Sequence, residues 1–287
     1  MIGDTAGWPG RQHPTDKNQG MNTIRVMSFN MAHGMGMDGH VDLRRTAEVI
    51  RASGADIIGL QEVDRHFSAR SGFADQAALL AEMLGMQYGF GANVIQPPLE
   101  PGKPHRKYGN AVLSRFPVKY AVNHPLTPAG ENGEDPEPRG ILETFIDLGS
   151  TYLNFFSTHM SLSDQALRLG VSRLLKLTGK SPFPTIVTGD FNAEPAHPSI
   201  AAMDERFNDV FRKSELGLVP TFPARSIELE SGRRTEPCAK IDYIFADLSQ
   251  TVRRADVIDT AVSDHLPIMA DLSVLSTLRN DQSEEAR

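Results

Sequence analysis

Apolar and polar positions along this chain fall mostly into short runs of a length and spacing that predict strands. Residues 24–31 (IRVMSFNM) combine β-branched and apolar side chains and predict a first strand. Residues 56–63 (DIIGLQEV) predict a second, buried on both faces. Further strands are expected over 108–118 (YGNAVLSRFPV), 139–149 (RGILETFIDLG) and 151–160 (TYLNFFSTHM), the last two paired. Residues 183–190 (FPTIVTGD), 240–247 (KIDYIFAD), 251–259 (TVRRADVID) and 266–274 (LPIMADLSV) supply the rest. The period changes to that of a helix in three places. Over 41–54, Asp42 is the N-cap, Leu43, Ala47 and Ile50 share a face, and Gly54 stops the helix. Residues 74–85 end in the same way at Gly85. Residues 162–179 carry the stripe Leu167, Val171, Leu174, Leu175, with a serine at the start and Gly179 at the end.

Strands outnumber helices, and the helices are scattered between them. No internal repeat and no linker divides the chain. One domain over 22–275 is therefore expected, preceded by a disordered leader (1–21) and followed by a disordered tail (276–287). Met21 is an alternative start. The leader has no apolar segment of the secretory kind, and no run of 18 apolar residues predicts a membrane span. Two long loops stand out, a Pro-rich one with a basic end (95–110) and an acidic one (127–140).

Polar residues gather where the apolar runs stop. Asn30 ends the first strand and Glu62 the second. His159 ends STHM, and Asp190 and Asn192 follow IVTG. Asp242 opens the strand of KIDYIF, and Asp264 and His265 precede the last strand. Alternation in a strand places Asp190 and Asn192 on one face, with Phe191 turned to the core. Taken singly, each of these has an ordinary explanation as a turn or cap residue. Together they form a set of carboxylates, amides and imidazoles at one scaffold edge, where sites are built.

In this order, SFNM, LQEVD, STHM, GDFNAEP, IDYIF and SDHLP resemble the motifs of the endonuclease/exonuclease/phosphatase superfamily of metal-dependent phosphoesterases, over about residues 22–273. The resemblance implies an α/β fold of deoxyribonuclease type. That fold is a four-layer αββα sandwich, two packed mixed β-sheets with helices outside. It also implies the roles. Asn30, Glu62 and Asp264 are the expected metal ligands, and oxygen donors of this kind suit Mg²⁺ or Mn²⁺. Asp190 orients or deprotonates the attacking water, and Asn192 holds that water or the phosphate. His159 donates to a phosphoryl oxygen. His265, with Asp242 as its carboxylate partner, binds the scissile phosphate or serves as general base. Asp264 and His265 are adjacent and point apart in extended chain, so one reaches the metal and the other the phosphate. Arg139 and Asn110 are candidate substrate contacts. Lys103, His105, Arg106 and Lys107 are candidates for steering an anion.

Composition narrows the substrate. The net charge is −7 with a pI near 5.7, and the sole tryptophan, Trp8, lies in the leader. Neither favours a duplex-binding enzyme. The block containing Arg65, Arg70, Ser71, Asp75 and Gln76 is closer to the sphingomyelinase-like bacterial hydrolases than to abasic-site endonucleases. The expected partner is a small phosphodiester or a lipid-derived head group, with a DNA or RNA nuclease as the alternative. No protein partner can be inferred. The lone Cys238 excludes an internal disulfide and, with the absent signal, points to the cytoplasm.

Overall fold

The computed structural model describes residues 21–126, 137–225 and 236–275. Residues 1–20 of the expected leader, most of the acidic loop and the tail lie outside the described residues, while Met21, placed at the end of that leader, opens the first strand. Strands β1 (Met21–Asn30), β2 (Ile57–Arg65), β3 (Gln87–Gln96) and β4 (Arg106–Ser114) join β11 (Thr251–Val257) and β12 (Ile268–Leu275) in one sheet, ordered β11-β12-β1-β2-β4-β3. Strands β5 (Val118–Pro125), β6 (Gly140–Asp147), β7 (Tyr152–His159), β8 (Thr185–Asp190), β9 (Phe207–Asp209) and β10 (Asp242–Asp247) form the other, ordered β5-β6-β7-β8-β10-β9.

The two sheets share one plan. Each has a single parallel pair at its centre, β1 with β2 and β7 with β8, flanked on both sides by antiparallel strands. Parallel neighbours need a crossover. Helix α1 (Leu43–Ser53) makes the first and α3 (Asp164–Thr178) the second. Helix α2 (Gln76–Leu84) packs beside α1, and the short α4 (Pro198–Asp204) beside α3.

Alternation along the strands builds three cores. Ile24 and Val26 of β1 meet Leu153, Phe155 and Ile186 between the sheets. Met27 and Phe29 turn the other way, under α1 and α2. Phe156, Val187 and Phe245 turn under α3 with Leu167, Val171 and Leu174. The result is the expected four-layer sandwich. The helix limits follow from local chemistry. Asp42 accepts from the Arg44 amide, and Gly54 and Gly85 take the left-handed conformation that ends α1 and α2.

Two strand expectations need correction. Residues 108–118 do not form one strand. The chain leaves β4 after Ser114 and starts β5 of the other sheet at Val118, with Pro117, which lacks the N–H a ladder needs, in the crossing. Strand β3 was not expected at all. Gly89 sits against Ala121 and Thr144, and Gly91 against Asn123, so close packing replaces the apolar pattern that would have announced it.

The two sheets pack tightly against each other at Gly59 of β2. A Cβ there would overlap the Thr188 hydroxyl oxygen and come within 3.2 Å of Ser157 Oγ. Gly59→Ala is expected to destabilise the fold by about 1–3 kcal/mol through overpacking. Urea unfolding should show a lower midpoint at unchanged slope. An unchanged midpoint would mean that the layer yields freely.

Candidate active site

The carboxyl ends of the four parallel strands point to one edge of the sandwich. They deliver Asn30 (β1), Glu62 (β2), His159 (β7) and Asp190 (β8). Open α/β sheets place ligands at this kind of edge. Antiparallel neighbours add the rest. Asp242, at the start of β10, stands opposite Asp190 in register, and Asp264 and His265 lie just before β12.

The side chains converge on Asp190, which is 1% exposed. Its Oδ2 accepts from Asn30 Nδ2 at 3.0 Å and lies 3.4 Å from His159 Nε2 and 3.6 Å from His265 Nε2. Its Oδ1 accepts from the Asn192 amide at 2.9 Å. Here the strand-face argument for Asp190 and Asn192 is corrected. The strand stops at Asp190, and Asn192 has φ +50°. A turn closed by the Asp190 carboxylate brings the two together, not strand alternation. Phe191 is fully buried as expected. Asn192 Nδ2 donates to Met160 O at 3.0 Å and lies 3.1 Å from His159 Nε2.

Glu62 reaches the cluster by a backbone device. The β2–β4 register shifts between Leu60 and Val63, and Glu62 takes φ +59°. Such bulges re-aim a side chain, and left-handed backbone at a non-glycine residue marks functional sites. Glu62 Oε1 accepts from Asn30 Nδ2 at 3.0 Å. Burial and the charges of Asp264 and Asp190 push its carboxyl above the usual range, against the Asn30 hydrogen bond and His265.

The two histidines differ in charge. Asp242 Oδ2 lies 2.9 Å from His265 Nδ1 and also accepts from Thr221 Oγ1 at 2.6 Å. Burial works to lower the basicity of His265, but the carboxylates of Asp242, Asp190 and Asp264 reverse this and raise its pKa to about 10. His265 is therefore an imidazolium at neutral pH. Burial lowers His159 to about 3, with Arg139 and His265 adding to the effect and Asp190 opposing it. His159 is neutral. Ser263 Oγ donates its one proton to Asn30 O at 2.7 Å and lies 3.3 Å from Asp264 Oδ1. The SDH turn is thus tied to β1. Asp264 lies by Ser263, and His265 is held by Asp242.

Of the two substrate candidates, Arg139 is among the site's charges. Its guanidinium takes Glu137 Oε1 at 2.7 Å and acts electrostatically on His159 and Tyr108. Asn110 is fully buried and donates to Gly140 O at 3.0 Å. It bridges the two sheets beside Arg139, and its Oδ1 has no hydrogen-bond partner among the described residues. His105 and Arg106 turn back on carbonyls of their own hairpin, at Gln96 and Pro97. Thr221 and Ser263 were not singled out in the sequence. Their roles depend on partners far along the chain, and no local pattern marks them.

Two groupings could hold a cation. Asp190, Asp242 and His265 can each bring one ligand atom within 4.8 Å of the others. In that trio, however, Asp242 and His265 are already hydrogen-bonded to each other. The second grouping is Glu62, Asp264 and Asn30. Among the described residues no lysine or arginine hydrogen-bonds or ion-pairs with Glu62, Asp190 or Asp264. The amide hydrogens of Asn30 point at two of these carboxylates, which lets a neutral donor stand in for positive charge. Glu62 and Asp264 offer hard carboxylate oxygens that fit a divalent ion, whereas Asn30 Oδ1 accepts from the Ala32 amide at 3.1 Å and would ligate only with its amide turned over.

The model of the Endonuclease/Exonuclease/phosphatase family matches residues 27–265, most of the chain. The protein YbhP of Escherichia coli strain K12 is 23% identical over 267 residues, covering 87% of this chain and 96% of YbhP. An endonuclease/exonuclease/phosphatase from Beutenbergia cavernae has a TM-score of 0.71 at 26% identity, over 88% of this chain and 72% of that one. The mannosyl-6-phosphatase Bt3783 of Bacteroides thetaiotaomicron has a TM-score of 0.65 at 22% identity, over 87% and 99%.

Proposed function

This chain belongs to the endonuclease/exonuclease/phosphatase family, whose members are hydrolases acting on phosphoesters, and we propose that it is a Mg²⁺- or Mn²⁺-dependent phosphodiesterase. Its substrate in this reading is a small or lipid-derived phosphoester, cut by in-line attack of a water that Asp190 orients. The observation that carries the reading is the convergence of Asn30, His159, Asn192 and His265 on Asp190, with Glu62 bonded to the same Asn30 amide.

A divalent ion held by Glu62, Asp264 and Asn30 would neutralise charge on the phosphoryl and leaving oxygens. The chain's own residues do the remainder. Asp190 offers Oδ2 to the water and can take its proton at that atom. Asn192 is fixed to Asp190 by its backbone amide and to Met160 O by its side chain, so its position relative to the water is set before substrate arrives. His265 presents a charged Nε2–H to a phosphoryl oxygen, and Asp242 holds the ring through Nδ1. A charge already present and oriented costs no reorganisation when the phosphoryl charge develops. This assigns His265 to phosphate binding rather than to the role of general base. His159 adds a neutral ring beside Asn192, and Arg139 adds positive charge behind it.

The small-substrate reading is supported by the acidic pI and by the way His105 and Arg106 are spent on their own hairpin. The similar fold of Bt3783, a mannosyl-6-phosphatase, supports a small phosphoester in this reading. No described helix is long and apolar enough to cross a membrane. A cytoplasmic location is part of the proposal and is tested by fractionation.

Turnover of bis-p-nitrophenyl phosphate and p-nitrophenyl phosphate, with Mg²⁺, Mn²⁺ and EDTA in parallel, tests the reading. Cleavage of the diester that EDTA abolishes is the expected result. Cleavage of the monoester alone would make the enzyme a phosphatase. Cleavage of DNA or RNA far above either, falling steeply with salt, would make it a nuclease. EDTA-resistant turnover would overturn the metal-dependent reading.

A further inference from the structure

The turn over residues 31–34 (MAHG), just after Asn30, and the segment from Arg65 to Gln76 take no part in the chemistry above, yet they meet beside Glu62. Ala32 and His33 both have left-handed backbone, with φ +44° and +47°. Gln76 ties this turn to β2. Its Nε2 donates to His33 O at 2.7 Å, and its Oε1 accepts from the Asp64 amide at 3.0 Å. The Asp64 carboxylate, fully buried, accepts from Arg70 Nε at 3.0 Å, Arg70 Nη2 at 2.7 Å and Ser71 Oγ at 2.7 Å. The Arg70 guanidinium also lies over two rings, 5.0 Å from the Phe67 centroid and 5.4 Å from that of Tyr108. This holds the fork rigid.

Neutralising Asp64 requires only the Nε and Nη2 edge of Arg70. No described residue takes a hydrogen bond from Nη1, and the side chain remains 37% exposed. His33 is 9% exposed, and its Nδ1 is buried with no hydrogen-bond partner. The charges that act on its ring are those of Arg70, Asp64 and Asp264. Tyr108 has Glu62, Glu137, Arg139 and Arg70 as its charged neighbours. Arg70, stacked on Tyr108, is thus within electrostatic reach of both His33 and Glu62, and Asp264 within reach of His33. Holding Asp64 explains neither the strained turn nor the orphaned imidazole. Strain and unpaired buried polar groups persist where a ligand uses them.

We propose that His33 and Arg70, with Tyr108 beside them, form a second phosphate-binding point on the Glu62 side of the site. The substrate then carries a further phosphate group besides the ester that is cut. A guanidinium fork with a free edge suits phosphate oxygens, and its two fixed bonds remove most of the ordering cost of binding. The inference rests on the phosphoester reading for the scissile group only.

Calorimetry on the full chain with Mg²⁺ tests it, using non-hydrolysable alkane-α,ω-bisphosphonates with spacers of three to six carbons against the matching alkyl monophosphonates. At one spacer length the bisphosphonate should bind at least about tenfold tighter, an order of magnitude reasonable for one charge-assisted contact pair. Arg70→Gln should reduce that advantage to below about twofold. His33→Asn, chosen because asparagine accepts left-handed backbone, should reduce it in part. If Arg70→Gln does not fold because Asp64 loses its partner, Arg70→Lys and His33→Asn carry the test. Equal affinity for both ligands at every spacer would overturn the second site. So would an advantage that survives in both variants. Failure of the phosphoester reading would look different, with no monophosphonate binding and no turnover of either p-nitrophenyl ester.

Discussion

Asp190→Asn is expected to lower kcat by at least about a hundredfold while leaving the fold intact, the scale of loss for a positioned acid–base group. The substitution conserves volume but replaces an acceptor with a donor where four groups meet. Oδ2 serves Asn30 Nδ2 and faces both imidazoles, and Oδ1 accepts the Asn192 amide. An amide can satisfy only one side of this arrangement. Turned either way, its NH₂ faces the Asn30 amide or the Asn192 N–H. The negative charge that orients the water is lost as well. Stability should not fall in proportion, because Asp190 is one of the like charges that press on Glu62. Removing it relieves that repulsion and offsets part of the lost hydrogen bonding. The checks are kcat on the diester and the urea midpoint of the same preparation. Near-wild-type turnover in the folded variant would remove Asp190 from the chemistry.

His265→Ala is expected to cost both activity and stability, and a second substitution should separate the two. Loss of the imidazolium removes the charged donor to the phosphate, again at least about a hundredfold in kcat. It also leaves Asp242, 1% exposed, with Thr221 Oγ1 and no cationic partner at Oδ2. Breaking a buried ion pair from one side costs about 3–5 kcal/mol. The pair His265→Ala with Asp242→Asn removes both charges. It should recover a large part of that stability and none of the activity, giving a strongly non-additive cycle. Denaturant unfolding of the wild type, the two single variants and the double variant measures it. Additive losses would mean that His265 and Asp242 do not form a coupled pair. Wild-type kcat in His265→Ala would place the phosphate donor elsewhere.

These expectations differ in how far the sequence supports them. Helices α1 and α2 could be read to within a residue or two, because Asp42, Gly54 and Gly85 act on their own neighbours. Helix α3 followed from its stripe, since Leu167, Val171 and Leu174 need only the helical period to share a face. Strands β1, β2, β6, β7, β8, β10 and β12 announced themselves by apolar residues that packed layers bury, whereas β11, at a sheet edge, is mostly uncovered. The polar residues at their ends were legible for the same reason, since each interrupts an apolar run.

Other features had no local signal. Strand β3 is held by glycines fitted against Ala121, Thr144 and Asn123 of neighbouring strands, and most of the side chains of β5 lie on the surface. Left-handed backbone at Glu62 and the bulge in β2 are imposed by pairing with a partner strand well separated in the chain. The grouping of His33, Arg70 and Tyr108 depends on Gln76 and Asp64 joining segments that the sequence keeps apart. By itself the sequence determined the periods, the caps and the identity of the polar residues, because these depend on contacts within a few positions. Only the tertiary structure decided that Asn30, Glu62, His159 and Asp190 share one edge. That follows from two parallel crossovers and a sheet-to-sheet packing whose contacts span up to the length of the domain.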